Sequence, residues 1–387
     1  MGVLMLVAPL EQVAFDLYTP AMPKIVAHFA ASSTLVQNTV TAYVLGMALV
    51  VLPVGLIADA IGRKRVLLTG LGLMTLTSIG CALSESLPMM IGLRFVQGLG
   101  AGTCLLLAAT IAADCFRGAR LVSVLGLLGA AWGAAPVIAP AVGGFITQFA
   151  SWRVVFVVLA VLTAMVAFLV AVVLPETLHH DRRSPVNLRV AAGVLGEAIR
   201  NRSFVAFAMM FGVVAAAQAV FGVVGPFLYQ SGLGYSSATY GFIAIGVGAA
   251  NFLGAAACGS LAQRTTTQRL LIGASAILAL GGVVMLASAQ SAGLSALAIT
   301  GGAALALLSI GVLDPLTKGL AMGVFSRNVG LVTGLISTFC YASIAIATAL
   351  MAWLPEQSQA PLGWFYVAAA VALMATLMAT VGLKNRQ

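Results

Sequence analysis

Runs of apolar residues separated by short polar breaks follow one another along the whole chain. Each run is longer than the roughly 18 residues that mark a transmembrane helix, and a helix satisfies its own backbone hydrogen bonds in lipid. The pattern therefore predicts an all-α membrane protein with twelve spans. The predicted spans are residues 2–22, 34–57, 66–84, 89–113, 119–146, 153–174, 203–229, 237–262, 269–288, 292–318, 328–353 and 361–383.

The first run has the position of a signal peptide but not its composition. It lacks a basic start, and it carries Glu11, Asp16, Pro20 and Pro23. We therefore interpret it as a span that the mature protein retains.

The composition supports this class of protein. The 387 residues are 61% hydrophobic and only 7% charged, whereas soluble domains carry about 25% charged residues. This excludes a soluble enzyme, a nucleic-acid-binding protein and a disordered scaffold. The chain also shows no Ser/His/Asp or phosphate-binding-loop pattern, so a membrane protease and an ATP-driven pump lose their support.

The 19 basic residues are distributed unevenly among the predicted loops. Lys24 and Arg153 fall on one side of the membrane, Arg94 and Lys318 fall inside spans, and the other fifteen fall on the side of the two termini. Under the positive-inside rule, both termini and the even-numbered loops are cytoplasmic. The net charge of +9 is thus a topology signal and does not indicate a nucleic-acid partner.

One long polar connection divides the twelve spans into two sets of six. We predict an N-terminal bundle at 1–174, a cytoplasmic linker at 175–202 and a C-terminal bundle at 203–387. The halves resemble each other weakly at an offset of about 204 residues, where Gly55 matches Gly259. Such duplication is typical of secondary transporters, whose substrate sites lie near the midplane where the repeats meet.

Five charged residues lie inside the predicted spans. A charge at mid-span costs about 2.5–3.5 kcal/mol on insertion scales, so it is expected to face protein or water and to serve a function. These residues are Glu11 and Asp16 in the first span, Arg94 in the fourth, and Asp314 and Lys318 in the tenth.

The two carboxylates of the first span are the candidates for proton binding. Glu11 and Asp16 lie about 140° apart around a helix, whereas Gln12 and Asp16 share one face. Burial and a like-charged neighbour both favour the protonated form of a carboxyl group. Such a group can hold a proton near neutral pH and release it when a cation approaches. The alternative is an Asp16 that is solvated, or caps a helix, near the membrane edge.

The other three intramembrane charges each have two interpretations. Arg94 stays charged and needs a carboxylate or several carbonyl groups, so it either pins the fourth helix to the first or takes part in coupling. Asp314 and Lys318 share one helical face and form either an internal ion pair or a contact for a charged substrate. Pro315 between them is expected to kink the helix.

Cysteine and histidine give no sign of a metal site. The five cysteines stand singly without a CxxC pair, and the three histidines fall in predicted loops. We therefore predict no disulfide, metal or cofactor.

Gly55, Asp59, Gly62, Arg63 and Lys64 belong to the segment GLIADAIGRKR between the second and third spans. This segment resembles the signature loop of the major facilitator superfamily. The resemblance implies that superfamily's fold, in which twelve helices form two pseudo-symmetric six-helix bundles. The glycines allow a tight turn, and Asp59 can cap a helix or pair with the basic cluster. We expect this clasp to form and break as the halves rock.

Two further motifs resemble those of the same superfamily. RFVQG, from Arg94 to Gly98, is similar to a fourth-helix motif that implies proton coupling. The fifth span is similar to the antiporter motif of exporters, which implies efflux. The residues that carry this second resemblance are Gly129, Pro136, Pro140, Gly143 and Gly144.

DLYTPAMP at 16–23 and LPETL at 174–178 resemble the drug:proton antiporter-1 family, in its bicyclomycin and chloramphenicol resistance branch. Multidrug members with two first-helix carboxylates place them two turns apart, and the earlier position here is Ala8. The resemblance therefore transfers a role to Asp16 but not to Glu11. The chain also starts almost inside its first span, without the family's usual short leader, which is the pattern of a missing or trimmed start.

Together these features predict a monomeric, proton-coupled exporter of small amphipathic compounds or drugs in the bacterial inner membrane, working by alternating access. The tenth-span charges depart from the apolar helix of generic drug exporters, so a dedicated exporter of one charged or zwitterionic metabolite, such as a siderophore, is the alternative. A non-transporting membrane sensor is a third hypothesis. The expected proton-coupling residues are Asp16, Glu11 and Arg94, and the expected cavity residues are Tyr18, Tyr43, Gln97, Asp314 and Lys318.

Overall fold

The computed structural model describes residues 1–178, 188–325, 329–355 and 357–384, and this part of the chain is helical throughout apart from its connections. Twelve helices are long and apolar enough to cross a membrane, which confirms the predicted fold class. They are α1 Gly2–Phe29, α2 Ser33–Ile61, α3 Arg63–Ala82, α4 Leu87–Cys115, α5 Gly118–Phe149, α6 Arg153–Val173, α7 Arg202–Gly232, α8 Ser237–Arg264, α9 Thr267–Ser291, α10 Ala296–Met322, α11 Val329–Met351 and α12 Ala360–Lys384.

Helix α1 is longer than predicted and is broken. It runs on to Phe29, and its pieces are Gly2–Val7, Leu10–Asp16, a 3-10 turn at Thr19–Ala21 and Met22–Phe29. Prolines lack the backbone N–H that a helix needs, and Pro9 and Pro20 stand at two of these breaks. The break places irregular backbone at the depth of the two acidic residues, which is tolerated only where protein covers it.

The two halves use the same helix pairs. In the N-terminal half α2 packs on α4 and α3 packs on α6, and in the C-terminal half α8 packs on α10 and α9 packs on α12. The two most extensive contacts between the halves join α2 with α11 and α5 with α8. Helix α8 is the C-terminal equivalent of α2, and α11 is the equivalent of α5. The pseudo-symmetry of the halves therefore converts one pair into the other. We call the interface formed by these two pairs the seam.

The connection between the halves contains a helix that the polar composition did not predict. This linker helix, Leu188–Arg200, packs on α7 and α11. Its apolar positions Val194, Leu195 and Ala198 are spaced three and four residues apart, as on one helical face. Residues 179–187 lie outside the described part of the chain, as do the basic residues Arg327 and Arg386 of the topology count.

The seam is closed at one end of the bundle. We call the end that carries the linker helix the basic end, and the other the opposite end. At the opposite end the Thr34 hydroxyl donates to the Ala352 carbonyl over 2.8 Å, and the Thr41 and Thr348 hydroxyls lie 3.0 Å apart. At the basic end, by contrast, an apolar cavity of about 350 Å³ lies between α2, the linker helix and α11.

Candidate functional site

Glu11 lies where four helices meet. Its side chain is only 2% exposed. Its Oε1 atom accepts a 2.6 Å hydrogen bond from Trp132 Nε1 of α5 and a 3.4 Å bond from the Tyr341 hydroxyl of α11. The Glu11 backbone carbonyl accepts a further 2.7 Å bond from the Tyr43 hydroxyl of α2. Glu11 thus contacts both halves, although the family resemblance did not assign it a role.

Asp16 has a simpler environment within the same broken helix. It is 6% exposed, and its Oδ2 atom accepts a 2.7 Å hydrogen bond from Gln12 Nε2. The predicted shared face of Gln12 and Asp16 is therefore present. The Asp16 carboxylate lies beside Gly222 of α7, so Asp16 faces the C-terminal half through α7 while Glu11 faces it through α11.

Arg94 is fully buried in a cage of aromatic and amide groups. Its guanidinium carbon lies 4.6 Å from the Tyr18 ring centroid and 4.3 Å from that of Tyr43. Its Nη1 atom donates to Gln97 Oε1 over 2.6 Å and to the Ala14 carbonyl over 3.4 Å, while its Nε and Nη2 atoms have no hydrogen-bond partner. Cation–π contact with two rings offsets part of the cost of burial.

The cage continues into a short polar chain. Gln97 Nε2 donates to the Ser78 hydroxyl over 2.6 Å, and the hydroxyls of Tyr18 and Thr39 lie 2.7 Å apart. Tyr18, Tyr43 and Gln97 are all fully buried, and none of them lines the cavity at the basic end. In this conformation these three predicted cavity residues hold Arg94.

Of the two kinds of partner expected for Arg94, a carboxylate is not observed among the described residues, whereas one carbonyl, that of Ala14, is. Among the described residues, the ion pairs within 4.0 Å join Asp59 to Arg63 and Arg63 to Asp114. Arg94 does link α4 to α1, through the Ala14 carbonyl and the Tyr18 ring. The interpretation of Arg94 as a helix-pinning residue therefore matches its contacts, but the pinning groups are neutral.

The internal ion pair in α10, one of the two interpretations of Asp314 and Lys318, is not observed among the described residues. Asp314 is half-buried and Lys318 is exposed, and they are not within ion-pair distance of each other in the described structure. Lys318 Nζ instead lies 5.8 Å from the ring centroid of Phe211 on α7. The helix continues through Pro315, which lies inside it.

The antiporter-motif residues of α5 form the seam with α8. A side chain at Gly144 would collide with the Ser237 carbonyl, and one at Gly143 with the Leu17 carbonyl of α1. The carbonyls of Pro136 and Pro140 approach Gly248 and Gly241 of α8 in the same way. Small residues permit this backbone contact. At Gly129 no atom of the described neighbouring helices lies within 4 Å of an added Cβ atom, so this glycine is not part of the close contact.

The signature loop is held by three carboxylates. Gly62 adopts φ 111°, a conformation that requires glycine, and thereby turns the chain between α2 and α3. Arg63 binds Asp59 over 2.6 Å and Asp114 over 3.2 Å. The Glu176 carboxylate accepts from the backbone N–H groups of Arg63 and Lys64 at 2.9 and 3.3 Å. Asp59 therefore pairs with the basic cluster, and Glu176 caps α3.

Asp59, Arg63 and Asp114 belong to the N-terminal bundle, and Glu176 stands at the start of the predicted linker. In this conformation the described partners of the clasp, which was expected to form and break as the halves rock, come from the N-terminal bundle and the linker. Gly55 lies on α2 one turn before Asp59, in ordinary contact with Leu106 of α4.

This helix count, seam and signature loop agree with a family match. The family model of the Major Facilitator Superfamily matches residues 4–348. The chain belongs to this superfamily. It is therefore a multi-pass membrane transporter and not an enzyme.

Curated relatives within the superfamily carry transport and resistance names. An uncharacterized MFS-type transporter YdgK of Bacillus subtilis is 33% identical over 245 residues, which cover 63% of this chain and 60% of that protein. A bicyclomycin resistance protein homolog of Haemophilus influenzae is 30% identical over 50% of this chain and 48% of its own. The multidrug resistance protein MdtL of Escherichia coli O157:H7 is 35% identical over 42% of this chain and 41% of its own.

The matched part thus spans between about two fifths and three fifths of these relatives. Their names agree with the branch that the sequence motifs indicated. Solved structures share the fold at low identity. A D-xylose-proton symporter superimposes with a TM-score of 0.76 at 15% identity, covering 97% of this chain and 95% of its own. A POT family transporter in complex with 5-aminolevulinic acid superimposes with a TM-score of 0.78 at 13% identity, covering 98% of this chain and 95% of its own.

The contacts of four side chains in the transporter's polar network were not predicted, although Glu176 belongs to the LPETL motif. Trp132, Tyr341, Asp114 and Glu176 each bind a predicted residue from a distant part of the chain. The first two are separated from Glu11 by 121 and 330 residues. Asp114 and Glu176 stand at the ends of apolar runs, and their position beside the signature loop follows only from the packing of α4 and α6.

Proposed function

We propose that this transporter exports small amphipathic compounds, drugs among them, across the bacterial inner membrane in exchange for protons. The observation that carries the proposal is the pair of buried carboxylates, Glu11 and Asp16. Among the described residues neither has a cation within ion-pair distance. The resistance names of the relatives support the choice of substrate.

A buried carboxylate without a nearby cation must either gain an opposite charge or become neutral by binding a proton. An isolated carboxylate in a low-dielectric site is costly, so it favours binding a proton or a partner that neutralises it. A proton and a substrate that use the same carboxylate then compete. Arg94 does not neutralise either carboxylate in this conformation, because its guanidinium is held by Tyr18, Tyr43 and Gln97.

In the proposed cycle the basic end faces the cytoplasm and the opposite end faces the periplasm. When the opposite end is open, Asp16 and Glu11 take up protons and the substrate leaves. When the basic end is open, the protons leave and the anionic site favours a new substrate. Opposed affinities of one site make the exchange obligatory. The α5–α8 seam at Gly144 and Gly241 closes the opposite end in the present conformation.

Uptake of labelled bicyclomycin into proteoliposomes that contain the purified transporter, under an imposed pH gradient, tests this function. We expect wild-type uptake to depend on the gradient. Asp16→Asn and Glu11→Gln are each expected to reduce gradient-driven uptake by at least about tenfold, the rate equivalent of 1.4 kcal/mol. Chloramphenicol is the second probe, because breadth of substrate is part of the proposal.

The matched control for these variants is Glu85→Gln. Glu85 is an exposed acid at the opposite end, between α3 and α4, so neutralising it should leave uptake unchanged. Gradient-driven uptake by Asp16→Asn at the wild-type rate would contradict the assignment of Asp16. Binding of both probes without flux in any gradient would favour a membrane sensor.

A second candidate function is export of one charged or zwitterionic metabolite. It is favoured by Asp314 and Lys318, which do not pair with each other and are thus free to contact a charged substrate. Under this function Lys318→Ala abolishes export of the metabolite, detected by its accumulation in a strain carrying the variant. The protein level and membrane insertion stay normal. Unchanged export would leave Lys318 as a structural contact of Phe211.

A further inference from the structure

One ionisable group in the membrane joins the two halves of the transporter. Glu11 Oε1 accepts a 2.6 Å hydrogen bond from Trp132 Nε1 on α5 and a 3.4 Å hydrogen bond from the Tyr341 hydroxyl on α11. Helices α1 and α5 belong to the N-terminal half, and α11 belongs to the C-terminal half. The bond from Tyr341 therefore crosses the seam, and its acceptor is a carboxylate.

Other bonds across the seam join neutral groups. They include Thr34 with the Ala352 carbonyl, and Thr41 with Thr348. Their strength does not depend on whether a proton is bound. Hydrogen bonds to an ionised acceptor are roughly twice as strong as neutral ones, so the bonds to Glu11 weaken when its carboxylate is protonated. The longer of the two, from Tyr341, is the first to be lost.

We propose that Tyr341 is a positioning residue that converts the protonation state of Glu11 into contact between the two halves. With Glu11 ionised, the Tyr341 hydroxyl holds α11 against α1, and the opposite end stays closed. With Glu11 protonated, this bond is lost and the opposite end opens more readily. Trp132 keeps the carboxyl group in place in both states.

This inference rests on the proposed exchange of substrate for protons. It supplies a step that such exchange needs, because an empty and deprotonated transporter must not reopen toward the side it came from. The Glu11–Tyr341 bond opposes that reopening until a proton or a substrate neutralises Glu11. A ligand can shift a conformational equilibrium only through such a difference in contacts between the two states.

Titratable and charged groups surround Glu11 on four helices, its own α1 among them, while α5 presents Trp132, which does not titrate. The surrounding groups are Asp16 on α1, Tyr43 on α2, Arg94 and Cys104 on α4, and Cys340 and Tyr341 on α11. Tyrosine and cysteine are neutral around neutral pH, and arginine is charged throughout. Within this group of residues, a response between mildly acidic and mildly alkaline pH therefore comes from Glu11 or Asp16, and the Glu11→Gln and Asp16→Asn variants separate it from responses of histidine elsewhere.

The test measures the distance between the halves at the opposite end. Spin labels are placed at Glu85→Cys in the α3–α4 loop and Ala292→Cys in the α9–α10 loop, which are exposed positions, one in each half. Cys115→Ser removes the exposed native thiol, and the other four cysteines are buried. The full chain is studied in lipid nanodiscs without substrate, at mildly alkaline and mildly acidic pH.

The expected wild-type distribution is short at alkaline pH and gains a long component at acidic pH. Tyr341→Phe is expected to raise the ratio of long to short distances at alkaline pH by about tenfold and to remove most of the pH response. Glu11→Gln, which tests the same bond from its other side, should give the acidic distribution at both pH values. Asp16→Asn should keep the pH response.

Two control variants separate this role from a merely structural one. Thr41→Val removes a neutral bond across the seam, so it should favour the long distance equally at both pH values and keep the pH response. Tyr229→Phe removes a hydroxyl that lies 2.6 Å from Thr300 within the C-terminal half, so it should behave as wild type.

A wild-type pH response in Tyr341→Phe would overturn the proposal, and so would a wild-type distribution that does not change with pH. Loss of the response in Thr41→Val would also overturn it, because any bond across the seam would then suffice. Gradient-driven uptake of bicyclomycin is measured separately in the same variants. If uptake is driven by protons but the distance between the halves does not change with pH, the role of Tyr341 is contradicted and the proposed function stands.

Discussion

Two buried arginines of the same half have opposite surroundings. Arg63, at the basic end of α3, binds two carboxylates, and a third carboxylate caps the helix that it begins. Arg94, about two turns from the start of α4, meets two aromatic rings, one amide oxygen and one carbonyl. Paired charges fix a local structure, whereas uncompensated charges are available to protons and ligands.

The same substitution at both arginines should produce the largest contrast. Arg94→Met is expected to lower gradient-driven uptake by at least about tenfold, because the cage beside the two carboxylates loses its cation. Its thermal stability should be unchanged or higher, because a buried cation with two N–H groups lacking partners is replaced by an apolar side chain. Uptake and the thermal unfolding midpoint are the measurements.

Arg63→Met should do the reverse at the signature loop. It leaves Asp59 and Asp114 without their cation, and breaking such a network by removing one partner is destabilising. We expect a lower thermal midpoint while uptake per folded molecule falls less than in Arg94→Met. Equal losses of uptake in the two variants, with equal midpoints, would remove the distinction between the two sites.

A smaller effect is expected from removing one partner of the paired site. Asp114→Asn should cost about 1 kcal/mol, since Arg63 keeps Asp59 and the Asp114 side chain is partly exposed. The thermal midpoint should fall slightly, and less so at high salt, because exposed charges are screened. Glu85→Gln is the control and should not change it. A midpoint loss as large as that of Arg63→Met would mean that Asp114 alone holds the cluster.

The smallest expected effect concerns the donor to Asp16. Gln12→Leu removes the 2.7 Å hydrogen bond to the carboxylate. A donor favours the ionised form, so without it the proton is held more tightly and must be removed at higher pH. The pH profile of uptake should therefore move toward alkaline values while its maximum changes little. A shift toward acidic values would contradict the role of Gln12.

The sequence predicted the fold and the charged members of the site, for related reasons. Twelve apolar runs leave the backbone no alternative to helices, and Glu11, Asp16 and Arg94 stand out because charges are rare in such runs. The partners of these residues could not be predicted in the same way. Trp132 and Tyr341 are aromatic residues in apolar helices, and only the folded arrangement of α5 and α11 brings them to Glu11.

The contacts that the sequence left open have physical reasons as well. Arg94 was expected to bind a carboxylate or several carbonyl groups, and two tyrosine rings, the Gln97 amide oxygen and the Ala14 carbonyl surround its guanidinium. Asp314 and Lys318 share a helical face by spacing, yet the lysine extends toward Phe211 on another helix. Spacing along one helix shows which groups can meet, and the neighbouring helices decide which groups do.

The central claim is that Glu11 and Asp16 bind and release protons around neutral pH. Infrared difference spectroscopy of the substrate-free transporter in lipid measures this directly, through the C=O stretch of protonated carboxyl groups after a step from mildly alkaline to mildly acidic pH. We predict that the wild type gains this band and that each of Glu11→Gln and Asp16→Asn loses part of it, with none left in the double variant. An unchanged band in the double variant would contradict the account.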